Sequence, residues 1–362
     1  MKKVISSVLA LMLVLSLTLT AFAADKSDVK SKIDSSVKYA FDGKFAVNGY
    51  GAKDSKNLLM HRKSGADVSK FKDAYVASAK QWLDQGKGKS DIVTLSMIID
   101  NLDAYGVDTK NFEGYNLQEM LTSFDLKNYY NPFGVYYVTE TAHRFGLDEF
   151  GKNLANDFVK KYYKLGEGTN FWNGFGMSAD DIGAFVLGVA PYKADFKEYI
   201  DDALKLSDNF KSEGGYGVTA DSPNVDSTAM ILAAYSAAEN KEKADEVYNI
   251  LLKYYDDSFG GFTSGNNAYI STANAVLALE YYYDFLTKEE NNNQGGDVVV
   301  PPATDDKEQD KNDKEEQKED EKQENLDKSD KSPATGATTV GLAVSALAMS
   351  FGATVVLKKK DN

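Results

Sequence analysis

Apolar positions recur at helical spacing through most of the chain. Between Asp28 and Phe41, the residues Val29, Ile33, Val37 and Phe41 share one helix face. Asp67 to Asp84 carries Phe71, Tyr75, Ala79 and Trp82 in the same way. Ser90 to Tyr105 carries Ile92, Leu95, Ile99 and Leu102 behind a Ser90 cap. Asn116 to Phe124 is shorter. Pro132 opens the next helix at its first turn, in NPFGVYYVTETAHRFG. Asp148 to Tyr163, SADDIGAFVLGVAPY, Phe196 to Phe210, the stretch beginning at Asp226, Lys241 to Tyr255 and a last stretch from Ser271 complete the set. The pattern predicts eleven helices. No run outside the late linker sustains period-2 alternation, so no strand is expected.

These helices are of two kinds. Those starting at Asp181, Asp226 and Ser271 are apolar nearly all round and rich in small residues, which predicts burial. The helices between them carry Lys and Glu along one side and should face water. The alternation comes with a repeat of about 45 residues. Gly214-Gly215-Tyr216 is matched by Gly260-Gly261-Phe262, Thr228-Ala229 by Thr272-Ala273, and Asp226 by Asp181 one period upstream. Two helices per period imply an array of helical hairpins with an inner and an outer layer.

The segments GGYGV…VDSTAMILAAYSA and GGFTS…ISTANAVLALEYY resemble the prenyltransferase/squalene-oxidase repeat. The likeness covers roughly residues 28–287 and is best over 165–285. It implies the all-α, α/α toroid of the terpenoid cyclase and protein prenyltransferase superfamily. That fold hosts many activities and implies none by itself.

The two ends of the chain differ from this body. Lys2 and Lys3, the apolar run Val8 to Leu17, and the small-x-small pattern Ala21-Phe22-Ala23 form a signal peptide over residues 1–24, cleaved after Ala23 or Ala24. The helical domain is expected over 25–287. Residues 288–331 are almost free of apolar side chains after Pro302 and should form a disordered, acidic, charged linker. Ser332-Pro333-Ala334-Thr335-Gly336 follows, then an uncharged span over 337–357 long enough to cross a bilayer as a helix, then the basic tail 358–362. This order resembles a sortase cell-wall sorting signal. The resemblance implies cleavage between Thr335 and Gly336 by a sortase and covalent transfer of Thr335 to peptidoglycan, in the cell wall of a Gram-positive bacterium. The commonest motif of that family opens with Leu. Ser332 in its place bears on which sortase acts. A plain membrane anchor is the other reading of the same span.

Composition narrows the chemistry. The chain has 362 residues, a net charge of −14 and no cysteine, so no disulfide holds it and an acidic body disfavours nucleic acid as a partner. Two histidines, His61 in an expected surface loop and His143 at a helix end, make no metal motif, and no cofactor is implied. The zinc site of protein prenyltransferases needs a Cys and cannot be carried over. The proton-donating Asp-x-Asp-Asp of the cyclases is matched only by Ser178-Ala179-Asp180-Asp181, which lacks the first carboxylate. Ser178 and Asp181 also fit a capping box, and Asp226 fits a helix cap. Asp180, Asp181 and Asp226 are therefore weak catalytic candidates. The aromatics Tyr136, Tyr137, Trp172, Phe175, Tyr216, Phe262 and Tyr269 lie in or beside loops before apolar helices, where they could rim a mouth and stack on a ligand. The expectation is a non-catalytic wall-anchored domain that binds an extracellular ligand or host molecule. The alternatives are an enzyme of cyclase-like or glycan-active type, and a corrinoid (cobalamin) binder. The last lacks the small β-domain that usually completes such sites.

Overall fold

The computed structural model describes residues 24–42, 49–126, 131–171, 177–265 and 268–294. The protein is all-α: twelve α-helices are present among the described residues. They are α1 Lys26–Val37, α2 Ser55–Lys63, α3 Lys72–Asp84, α4 Ile92–Ala104, α5 Leu117–Thr122, α6 Val135–Arg144, α7 Asp148–Tyr162, α8 Ala179–Val189, α9 Lys193–Ser207, α10 Val225–Ala237, α11 Lys241–Leu251 and α12 Ala268–Gln294. Of the signal segment only Ala24 is described, and the linker beyond 294 and the sorting region lie outside the described residues; residues 288–294, expected to open the linker, continue α12 as helix. Among the described residues no helix is long and apolar enough to cross a membrane.

The helix missing from the sequence reading is α2. Its nine residues, SKNLLMHRK, cluster Leu58, Leu59 and Met60 in one block instead of spacing them. A short segment with one apolar block shows no helical period, and it forms through packing rather than propensity. His61, expected in a surface loop, is buried in its last turn.

The even-numbered helices form the core. All eleven residues of α8 are buried, whereas α7 buries five of its fifteen, Gly151, Leu154, Ala155, Phe158 and Val159, spaced along one stripe. Burying side chains such as Ile182, Phe185 and Leu187 contributes roughly 1.5–3 kcal/mol each. Contacts run α2–α4, α4–α6, α6–α8, α8–α10 and α10–α12, and α12 packs back against α2. Five odd helices pack on an even neighbour: α1 on α12, α5 on α4, α7 on α6, α9 on α8 and α11 on α10. Close approach at α8–α10 depends on Gly183, where a Cβ would meet the Met230 carbonyl oxygen at 2.9 Å.

Short strands do occur, contrary to the period-2 expectation. Three two-residue antiparallel hairpins pair Tyr163 with Thr169, Lys211 with Tyr216, and Tyr255 with Phe262. Each lies between an odd helix and the following even one. Such pairs are too short for alternation to register. In two of them a helix threonine anchors the hairpin. The Tyr216 N–H donates to Thr228 Oγ1 (3.1 Å) and the Phe262 N–H donates to Thr272 Oγ1 (2.9 Å). Gly215, at φ +126°, is required here because a Cβ would stand 2.6 Å from the Thr228 hydroxyl. The repeated Gly-Gly-aromatic phrase is thus a hairpin fastened to the start of a buried helix.

Candidate functional site

The C-terminal halves of the six even-numbered helices, with Lys193 at the start of α9, line a cavity of about 420 Å³. Helix C-termini carry partial negative charge and favour cations, and Arg62, Lys63, Arg144 and Lys288 stand there. Two charge pairs cross between helices. Lys63 Nζ lies 3.2 Å from Glu140 Oε2, and the Tyr281 hydroxyl donates to Glu140 Oε1 at 2.6 Å. Arg144 pairs with Asp100, which also accepts from the Thr141 hydroxyl (2.7 Å). Burial pushes the Asp100 carboxyl up against the opposing pull of Arg144. Burial disfavours the Lys63 ammonium, but Glu140, Glu280 and Asp100 outweigh it and hold the lysine above its ordinary value.

Glu280 of α12 is not itself among the residues that line the cavity, though its charged neighbours are. It is 5 % exposed, and neither carboxyl oxygen has a hydrogen-bond partner. Burial raises it well above the carboxylate range, with Asp284 and Glu140 adding to the effect and Lys63 and Arg62 opposing it. All four of those neighbours line the cavity. A buried acid without partners is costly when charged, so this environment favours its neutral form. The sequence did carry a signal: Glu140 and Glu280 interrupt otherwise apolar, aromatic runs of buried helices.

The predicted aromatics fall elsewhere than on a rim. Tyr216 and Phe262 have no exposed surface, because each packs behind its hairpin against a buried helix. Tyr136 and Tyr137 are buried side by side on α6, with ring centroids 4.0 Å apart. They belong to the packing beneath the cavity, where they add to the field that keeps the Tyr281 hydroxyl protonated. Tyr269 is half-buried at the start of α12, its hydroxyl pushed up to about 12 by burial and then by Asp54. Trp172 and Phe175 lie outside the described residues.

The predicted acids gather at the opposite, N-terminal ends of the same helices. Ser178 and Asp181 make the reciprocal capping box of α8: the Ser178 N–H donates to Asp181 Oδ2 (3.0 Å) and the Asp181 N–H to Ser178 Oγ (3.3 Å). Asp226 is not the cap of α10. That role belongs to Asn224, whose Oδ1 accepts from the Ser227 N–H at 2.9 Å. Asp226 instead joins two helices, accepting from Asn274 Nδ2 (2.8 Å) and Ser271 Oγ (3.3 Å) of α12. Asp180 is buried and pushed up to about 7 by burial and by Asp181 and Asp226, against the pull of the Ser227 hydroxyl. Lys56 of α2 is shifted down by burial, with Asp226 opposing.

The histidines are structural. His61 Nδ1 shares a 2.8 Å hydrogen bond with the Tyr50 hydroxyl, and His143 Nδ1 lies 2.9 Å from Asp148. Among the described residues no group of three or more His, Cys, Asp or Glu could hold a metal ion. No family model matches the sequence, and no curated protein is significantly similar to it.

Proposed function

We propose that the chain is an exported surface protein of a Gram-positive cell wall whose α/α toroid holds a small polar ligand without transforming it. The toroid reading rests on the cyclic order of contacts among the even-numbered helices, with the odd-numbered helices packed outside them, and on the prenyltransferase-like repeat. Export rests on the Lys2-Lys3 start, the apolar run and the Ala21/Ala23/Ala24 cleavage pattern. Attachment rests on Ser332 to Gly336, the span after it and the basic tail, with a sortase and peptidoglycan as partners through Thr335. The single observation that carries the binding reading is the cavity of about 420 Å³ lined by all six even-numbered helices, a size within the range of small-molecule sites. The ligand contact expected of an aromatic rim passes to this charged pocket, because four of the seven aromatics are buried.

A thermal-shift screen of the full chain against amino acids, glycans, corrinoids and isoprenoids tests binding. A rise in Tm with a small polar compound, lost in Arg62→Gln, is the expected result. No shift with any class would sink the reading. For the anchor, Thr335→Ala should leave the protein extractable without wall-digesting enzymes.

One observation favours the enzymatic alternative. Asp180, pushed up to about 7 by burial with Asp181 and Asp226 adding to the effect, is the one acid of the N-terminal cluster that could give up a proton near neutrality. Turnover of any glycan or isoprenoid that disappears in Asp180→Asn would establish it.

A further inference from the structure

Most cations that line the cavity have an acid in contact. Lys63 pairs with Glu140, Arg144 with Asp100 and Lys193 with Glu239. Among the described residues Lys288 and Asp284 make no ion pair, but both are exposed and stand one helical turn apart on α12, where water and each other's charge serve them. Arg62 is different. Among the described residues it makes no ion pair, and its Nε is buried without a hydrogen-bond partner. No other described side chain that lines the cavity holds a buried polar atom in that state. The acid that acts on it most is Asp100, whose carboxyl is already held by Arg144 and by the Thr141 hydroxyl.

Arg62 lies in the last turn of α2, where a positive charge complements the helix dipole. That effect serves the charge and leaves the Nε–H without an acceptor. A buried donor in this state is costly, and an occupant of the cavity that brings an acceptor is favoured. A guanidinium presents its N–H groups as a planar fork, which a carboxylate fills with two parallel hydrogen bonds. An amine is repelled by Arg62, and an uncharged sugar offsets no charge. A phosphate or dicarboxylate brings a second negative charge in among Asp100, Glu140 and Asp284, which repel it.

The remaining wall sets the body of the ligand. Leu59, Leu187 and Phe285 are buried side chains that line the cavity, and Pro191 adds a fourth apolar surface. We propose that the cavity takes a small monocarboxylate whose carboxylate is bound by Arg62 and whose uncharged body lies against Leu59, Leu187, Pro191 and Phe285. This rests on reading the cavity as the ligand site. Its volume of about 420 Å³ leaves room for an aryl or branched alkyl group beside the carboxylate.

Calorimetric titration of the full chain with 3-phenylpropionate and 4-methylpentanoate tests the inference. Three controls keep an aryl body and change the head: 3-phenylpropionamide has no charge, 3-phenylpropylamine has the opposite charge, and phenylsuccinate has a second carboxylate. We expect at least one of the two acids to bind and every control to bind at least tenfold more weakly. Arg62→Gln and Arg62→Lys should each lose at least tenfold in affinity for the acid that binds. Arg62→Lys keeps a cation at the end of α2 and removes only the planar fork, so it separates ligand binding from helix stability. Circular dichroism checks that the variants fold, and Arg62→Lys decides if Arg62→Gln does not. Unchanged affinity in the folded Arg62→Lys protein overturns the proposal. If the amide, the amine or a sugar such as cellobiose binds as tightly as the acids, the carboxylate inference falls and the cavity stands as the ligand site. If none of these compounds binds to the folded chain, both fall.

Discussion

Asp180 shows what one side chain costs and what it implies. The folded chain holds its proton up to about pH 7, while the unfolded chain releases it near the ordinary carboxylate value of 3.8. The folded state therefore binds the extra proton between those values, and stability drains away as pH rises through that window. Three pH units correspond to about 4 kcal/mol at most. Asp180→Asn should match the wild type near pH 4 and exceed it in stability at pH 8, as read by urea denaturation at both pH values. Equal stability of the two proteins at pH 8 would show that the carboxyl is not desolvated.

At the scale of elements, the contact between α8 and α10 is set by a missing side chain. Gly183 lets the Met230 backbone come closer than any Cβ would allow. Gly183→Ala should cost roughly 1–3 kcal/mol by overpacking, against which the gain in helix propensity is small. A denaturant midpoint equal to that of the wild type would contradict it. Elements were also where the sequence was most and least legible. The buried helices announced themselves through their unbroken apolar content, and the Ser178–Asp181 box marked a boundary correctly. The start of α10 was misread because Asp221, Ser222, Asn224 and Asp226 are all capping residue types, and only geometry selects Asn224. Helix α2 was lost because three adjacent apolar residues carry no period. The aromatics were misplaced for a related reason. A Gly-aromatic loop looks the same whether its ring turns outward to a ligand or inward behind a hairpin, and Tyr216 and Phe262 turn inward. The charged pocket is hidden in the sequence because its members come from seven helices far apart in the chain, with no local motif to join them.

For the molecule as a whole, α12 is the decisive element. It packs against α10, α1 and α2, and Lys26 near the start of the domain pairs with Glu290 near its end. A chain ending at Gly265 lacks that element and should lose its cooperative thermal transition, as followed by circular dichroism, instead of melting at a slightly lower temperature. A sharp melt in the truncated chain would mean that the remaining helices fold on their own.

The closure by α12 also fixes when the molecule can first do anything. The cavity takes lining residues from Leu59 through Lys288, almost the full span of the domain. A chain still being synthesised, or passing through a membrane unfolded, has every one of those side chains and no pocket. The pocket is thus complete only once the last helix docks. On the proposed reading of an exported binder, the pocket can first be filled on the far side of the membrane.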